Sequence, residues 1–353
     1  MQCTTSAFSD RTGIRTTYKK ALAMTKPKSH RTSKSKTRKS RAGRPGSIMS
    51  QVVKVEEFPY SSHVYSAETG DGRKYFVKAE ALSKLTDKLE YGAIPDEFFG
   101  DYKPGCKINS SNFLFKEIIV DCDVQRHVSS HIAKLHEWGT LNKHQFTKYG
   151  LTSTTPVIYA MYDMVPGQTL HHALLKTSQW PFQSATEFID QFARFLNMLV
   201  YLARKADFRH NDLWTKNMYI VNNPKTGKPE FYLIDLGWAT NSLIRFGSCM
   251  TESRYQKRVH TIDQIRGFFF AKLPADHSTA VFSYHKCQLY ELDMINLLNC
   301  YLTVIYLKYP EHVTWLERTL RPWLHTNMSW LNNRKVSYHT RLDALAKRMA
   351  AKP

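Results

Sequence analysis

Asp212, Asn217 and Asp235 are the side chains of this sequence whose types and spacing suit chemistry. The first two lie in Phe208-Arg209-His210-Asn211-Asp212-Leu213-Trp214-Thr215-Lys216-Asn217, and the third lies in Leu233-Ile234-Asp235-Leu236-Gly237. Between them, Met218-Tyr219-Ile220-Val221 and Phe231-Tyr232-Leu233-Ile234 read as strands joined by the turn-rich stretch 222–229. A hairpin brings the residues before one strand beside those after the other, so these oxygen-bearing side chains converge. Such a set suits magnesium, which keeps its waters and is completed by substrate phosphates. Zinc would call for the His and Cys ligands that are lacking here.

Lys78 and Glu117 are candidates of a second kind. Lys78 lies near the end of the strand-like run Lys74-Tyr75-Phe76-Val77-Lys78-Ala79, where a long cation either snorkels to water or meets an anion. Glu117 is the one charge on the face shared by Phe113, Val120 and Val124 in a helix expected over 109–126, capped by Asn109 or Ser110. It is either exposed or paired with Lys78, and Asp121, one turn on, is the alternative partner.

The elements that must position these groups follow from texture. Val52-Val53-Lys54-Val55 reads as a strand, and Thr69-Gly70-Asp71-Gly72 as the turn before the Lys78 strand. Val157 to Tyr162 reads as a buried strand that bends at Pro166-Gly167 into a new helix. Phe188, Phe192, Phe195, Leu196, Leu199 and Val200 recur at helical spacing, which predicts a core helix over 187–202 leading into the Asp212 stretch.

Composition sets the outer bounds. With 353 residues, 42% hydrophobic and 13% aromatic, the chain can bury a large core, which excludes disorder throughout. Of the net charge of +20, the first 49 residues carry +12, thirteen Lys and Arg against Asp10 alone. That stretch is too poor in apolar residues to offset the entropy of ordering and is expected to be a disordered tail. Its cluster from Lys34 to Arg41 is of the nuclear-import or nucleic-acid type, with a plain solvated tail as the other reading. Six cysteines without a C-x-x-C pair fit reduced thiols in an intracellular protein. No run reaches the ~18 apolar residues of a membrane helix, and no apolar signal core opens the chain. A soluble protein, nuclear or nucleocytoplasmic and without a membrane partner, is expected.

His210-x-Asp212-Leu213-x-x-x-Asn217 followed by Asp235-Leu236-Gly237 resembles the catalytic loop and metal-binding Asp-Phe-Gly of the protein-kinase superfamily. Val77-Lys78 looks like the family's Ala-x-Lys strand, Glu117 like its C-helix partner, and Tyr162 to Leu170 like its hinge. Asp293 in Leu292-Asp293-Met294-Ile295-Asn296-Leu297-Leu298 is similar to the F-helix aspartate that props up the catalytic loop. The resemblance covers about residues 52–345 and excludes the tail. It implies an α+β, two-lobed protein-kinase-like fold: a small β-rich N-lobe over 50–161 and a larger helical C-lobe over 162–353, after the tail over 1–49.

It also implies an ATP- and Mg2+-dependent kinase acting on Ser/Thr hydroxyls of a protein substrate. Asp212 would receive the acceptor's proton, with His210 beside it counted among the catalytic residues. Asn217 and Asp235 would hold magnesium, and Lys216 would contact the γ-phosphate. Lys78, held by Glu117, would grip the α- and β-phosphates, and Asp163 and Val165 of the hinge would meet the nucleotide. Three departures qualify this. Residues 57–66 contain no glycine where the family has a glycine-rich loop, Asn211 replaces the usual Arg, and no Ala-Pro-Glu follows Asp235. They imply weaker nucleotide binding, no phosphate-docking activation, and a virus-encoded or otherwise fast-diverging kinase. A pseudokinase scaffold whose tail binds nucleic acid or an acidic partner, and a small-molecule kinase of the aminoglycoside-phosphotransferase type, are the alternatives.

Overall fold

The computed structural model describes residues 47–58, 64–81, 113–141, 157–175, 180–242 and 291–352. Outside the described residues lie the expected tail up to residue 46, the proposed helix caps Asn109 and Ser110, the middle of the glycine-free stretch at 59–63, and the segment 243–290 beyond Asp235. The chain divides into two units, the first described by 47–58, 64–81, 113–129, 133–141 and 157–165 and the second by 130–132, 166–175, 180–242 and 291–352. The boundary expected at 161/162 thus falls after Val165. Residues 130–132 join the second unit because the Leu233 N–H donates to the His131 carbonyl at 2.8 Å and Ile132 bridges Leu233.

The first unit is an antiparallel sheet with a helix. Strands β1 (Val52–Glu57), β2 (Val64–Thr69), β3 (Lys74–Ala81), β4 (Leu135–Leu141) and β5 (Val157–Asp163) run in the order β1-β2-β3-β5-β4. β5, buried on both faces up to Tyr162, lies between β3 and β4, which is why its sequence is apolar without alternation. Tyr75, Val77 and Ala79 of β3 bury one face, on which Tyr65, Ala67, Tyr159, Met161 and Met49 complete a core. Ile48 and Met49 belong to that packing, so the last residues of the expected tail are part of the fold. The helix α1 (Phe113–Val124) serves the other face, where Lys78 and Tyr162 point. Its Cys122 is disulfide-bonded, a departure from the reduced thiols expected, because disulfide pairing follows from proximity in the fold and not from sequence spacing.

The second unit is largely helical. A short strand β6 (Gln168–Thr169) leads into α2 (Leu170–Leu175), and the long helix α3 (Ala185–Ala206) precedes the hairpin β7 (Met218–Asn222) and β8 (Pro229–Leu233). Helices α4 (Leu292–Lys308), α5 (Val313–Leu331) and α6 (Tyr338–Met349) follow. Ser184 caps α3 by accepting from the Glu187 N–H at 3.1 Å, while the Glu187 carboxylate takes the Gln183 N–H at 2.7 Å. The expected apolar stripe is its buried face: Phe188 and Phe192 meet Phe231 and Tyr301 with ring centroids 5.6–6.1 Å apart. Gly167 is required at the start of β6, since a Cβ there would press into the Ile220 carbonyl oxygen. Among the described residues, no helix is long and apolar enough to cross a membrane.

Candidate active site

Each unit holds one group of the residues singled out in the sequence. In the first, the Lys78 ammonium meets the Glu117 carboxylate at 2.6 Å, with the side chains 18% and 5% exposed. β3 and α1 thus settle the choice left open between an exposed and a paired Glu117. Asp121 takes a different partner, accepting the Tyr162 hydroxyl at 2.9 Å. At the end of β5, the Asp163 N–H donates to the Lys134 carbonyl at 2.9 Å, and its exposed carboxylate meets His136 Nε2. Beyond it the ladder stops. Among the described residues, the N–H and C=O groups of Met164 and Val165 have no backbone partner, which leaves a strand end able to pair with a planar ligand's edge.

In the second unit, the stretch from Phe208 to Asn217 is braced along its length. α3 ends at Asp207 in the left-handed conformation, φ 51°. Arg209 and Thr240 then exchange N–H···O bonds of 2.8 and 2.9 Å, tying the entry of the loop to the chain beyond Asp235. Asp293, in the first turn of α4, accepts the His210 N–H and the Asn211 N–H at 2.7 Å each. The Tyr338 hydroxyl adds a third bond at 3.3 Å. Burial pushes the Asp293 carboxyl above the ordinary range, against the pull of these donors, and the Tyr338 hydroxyl is raised in turn by its own burial and by Asp293. Asn211 takes a positive φ of 60°, which asparagine tolerates, and its amide spans the Trp238 carbonyl and the Thr240 hydroxyl at 3.1 Å each.

His210, counted above with the catalytic residues, is a positioning residue. Its ring is fully buried, with Nδ1 accepting the Asp212 N–H at 3.3 Å and Nε2 donating to the Ile234 carbonyl at 3.0 Å. A backbone N–H can only donate and a carbonyl can only accept, so these partners fix the neutral tautomer with its proton on Nε2. The ring thereby joins the Asp212 stretch to the segment that carries Asp235.

Asn217 is buried, and its amide N donates to the Asp212 carbonyl at 2.8 Å and to Asp212 Oδ2 at 3.2 Å. Those bonds steer the Asp212 carboxylate and turn the Asn217 amide oxygen away from it. Asp235 is exposed at φ 59°, at the head of a single 3-10 turn over Leu236–Trp238. No group of three or more His, Cys, Asp or Glu suited to a metal occurs among the described residues. One carboxylate and one amide oxygen are instead the sparse hard-oxygen set that magnesium accepts when phosphates and water complete its shell, so the residues fit that ion. Lys216 is exposed, its ammonium 5.1 Å from the centre of the Trp214 ring. Burial, and then the positive neighbours Lys216 and His172, lower the pKa of the His171 imidazole.

The sequence offered no sign of what holds Asp293 and its helix. Tyr338 lies 45 positions away, and Arg209 stacks 4.6 Å over its ring. Glu291 accepts from Arg209 at 3.4 Å and from the fully buried Arg341 at 2.8 Å. Arg341 also donates to the Leu331 and Val336 carbonyls, so each of its three guanidinium nitrogens has an acceptor. No known protein-family model and no curated protein matches this chain.

Proposed function

We propose that this protein is a magnesium-dependent kinase that transfers the γ-phosphoryl group of ATP to a Ser/Thr hydroxyl of a protein, on a two-lobed kinase-like fold. The observation that carries the reading is the bracing of Asp212: its N–H is held by His210, its carboxylate by Asn217, and its loop by Asp293. Positioning of this kind is most of what phosphoryl transfer asks of a protein. In the reaction, the acceptor oxygen bonds to the γ-phosphorus, the bond to the ADP leaving group breaks, and the hydroxyl proton passes to Asp212. Magnesium, when bound through Asn217 and Asp235, would neutralise charge on the phosphates. Lys78, oriented by Glu117, is the cation for the α- and β-phosphates, and the strand end at Val165, without a backbone partner among the described residues, is the adenine's place.

Purified protein given labelled ATP, magnesium and basic or acidic protein acceptors should incorporate phosphate, and Asp212→Asn should remove at least about 99% of the rate. Equal labelling by the two proteins would sink the proposal. A second reading, a scaffold that binds partners without turnover, is favoured by the lack of glycine over residues 57–66. Nucleotide with magnesium must raise the melting temperature of a kinase, so no shift at millimolar ATP selects the scaffold. Activity on metabolites but on no peptide would select the small-molecule kinase. For the basic stretch we propose a nuclear address or an acidic partner; deletion of residues 1–46 should then abolish nuclear enrichment of a tagged chain.

A further inference from the structure

We propose that Ser47 is a phosphorylation site controlling a latch that closes the face of the first unit's sheet opposite α1. The latch centres on Glu137 of β4, which is 4% exposed. Its carboxylate accepts the Ser47 hydroxyl at 2.6 Å, the Ile48 N–H at 2.5 Å and the Tyr159 hydroxyl at 2.5 Å. The Tyr159 ring reaches it by crossing Gly139, where an added Cβ would stand 3.1 Å from the ring. The same segment sends Met49, 4% exposed, into the core with Tyr65, Val77 and Met161, and Ile48 packs on that cluster. A buried carboxylate closed by hydroxyl and backbone donors, with no cation among these partners, tolerates no further negative charge.

Ser47 is the member of this set that chemistry can change. It is half-buried, and Arg41 and Arg44 precede it in the sequence, as in substrates of basic-directed protein kinases. Such an enzyme, using ATP, forms the Ser47 Oγ–P bond, breaks the γ-phosphoryl bond to ADP and passes the hydroxyl proton to its own base. The product replaces a donor by a group of about −2 charge, which repels Glu137 and cannot donate to it. Because Ser47 is reached when the segment is off the sheet, modification traps the released state and exposes the apolar face beneath Met49.

The test uses the full chain with phosphoserine installed at position 47. Hydrogen exchange of amides 48–57 should rise at least about tenfold over the unmodified protein. Glu137→Gln keeps an acceptor oxygen without the charge, so in that background the rise should shrink to about twofold. Equal exchange in modified and unmodified protein overturns the proposal, as does a rise undiminished by Glu137→Gln. Incubation of Glu137→Ala protein, whose latch is open, with ATP and a basic-directed kinase should place phosphate on Ser47. An unmodified Ser47 there overturns its assignment as the site.

Discussion

Asp293 and Glu137 are buried to nearly the same degree, 5% and 4% exposed, and each is met by backbone N–H donation and a tyrosine hydroxyl. Their settings differ. The backbone donors to Asp293 sit on a loop tied in at Arg209–Thr240 on one side and continued by β7 on the other, so they have nowhere to go. The Ser47 and Ile48 donors to Glu137 lie ahead of β1, on the segment proposed above as a latch. Closely similar hydrogen-bond chemistry thus makes a permanent brace in one unit and a separable latch in the other. Glu117 completes the series as a buried carboxylate that holds a cation.

The largest effect belongs to that ion pair. Lys78→Met leaves the Glu117 charge buried without its ammonium and should cost about 3–5 kcal/mol in urea unfolding, with part recovered in Lys78→Met/Glu117→Gln. A cost under ~1 kcal/mol would mean that Glu117 is relieved by its other neighbours. Asp293→Ala strands the buried His210 N–H and the half-buried Asn211 N–H, which cannot move away, and should cost on the order of 3 kcal/mol. Glu137→Ala should cost about half as much, and its exchange increase should be confined to amides 48–57. Equal and global losses in both variants would erase the distinction between brace and latch.

Acid titration sharpens it further. Because burial raises the Asp293 carboxyl in the native state, the folded protein holds that proton to higher pH than the unfolded chain. Its contribution to stability therefore falls as pH rises from the ordinary carboxylate value, ~3.9, through the raised native value. Asp293→Asn should flatten that limb of the stability profile, and an unchanged slope would assign it to another group. The smallest effect is expected at Cys300, a free thiol on α4 that burial alone pushes up to about 12. Burial disfavours its thiolate and shields it from reagent, so at pH 8 site-resolved mass spectrometry should find no alkylation until the protein unfolds.

Much of the local structure is written in the residues. The apolar run of β5, the stripe of α3 and the turn residues between β7 and β8 each specify an element, because their periods of burial are short-range properties of the chain. β2 and β4 escape such reading. Val64-Tyr65-Ser66-Ala67-Glu68-Thr69 is weakly apolar and becomes a strand through pairing with β1 and β3, and β4 carries a register shift between Leu135 and Glu137. α6, which supplies Tyr338 and Arg341, is another element that no motif announced.

The sequence by itself determined which side chains are candidates: Asp212, Asn217 and Asp235 by type and spacing, Lys78 by its place near the end of an apolar run and Glu117 by its place on an apolar helix face. Only the tertiary structure decided their relations. It paired Lys78 with Glu117 and gave Asp121 to Tyr162, buried His210 against backbone, laid Lys216 over Trp214, and closed Asp293 with a tyrosine 45 positions away. The reason is physical: hydrophobic pattern and turn chemistry act over a few residues, whereas a buried charge or N–H takes whatever partner the packed core brings within about 3 Å.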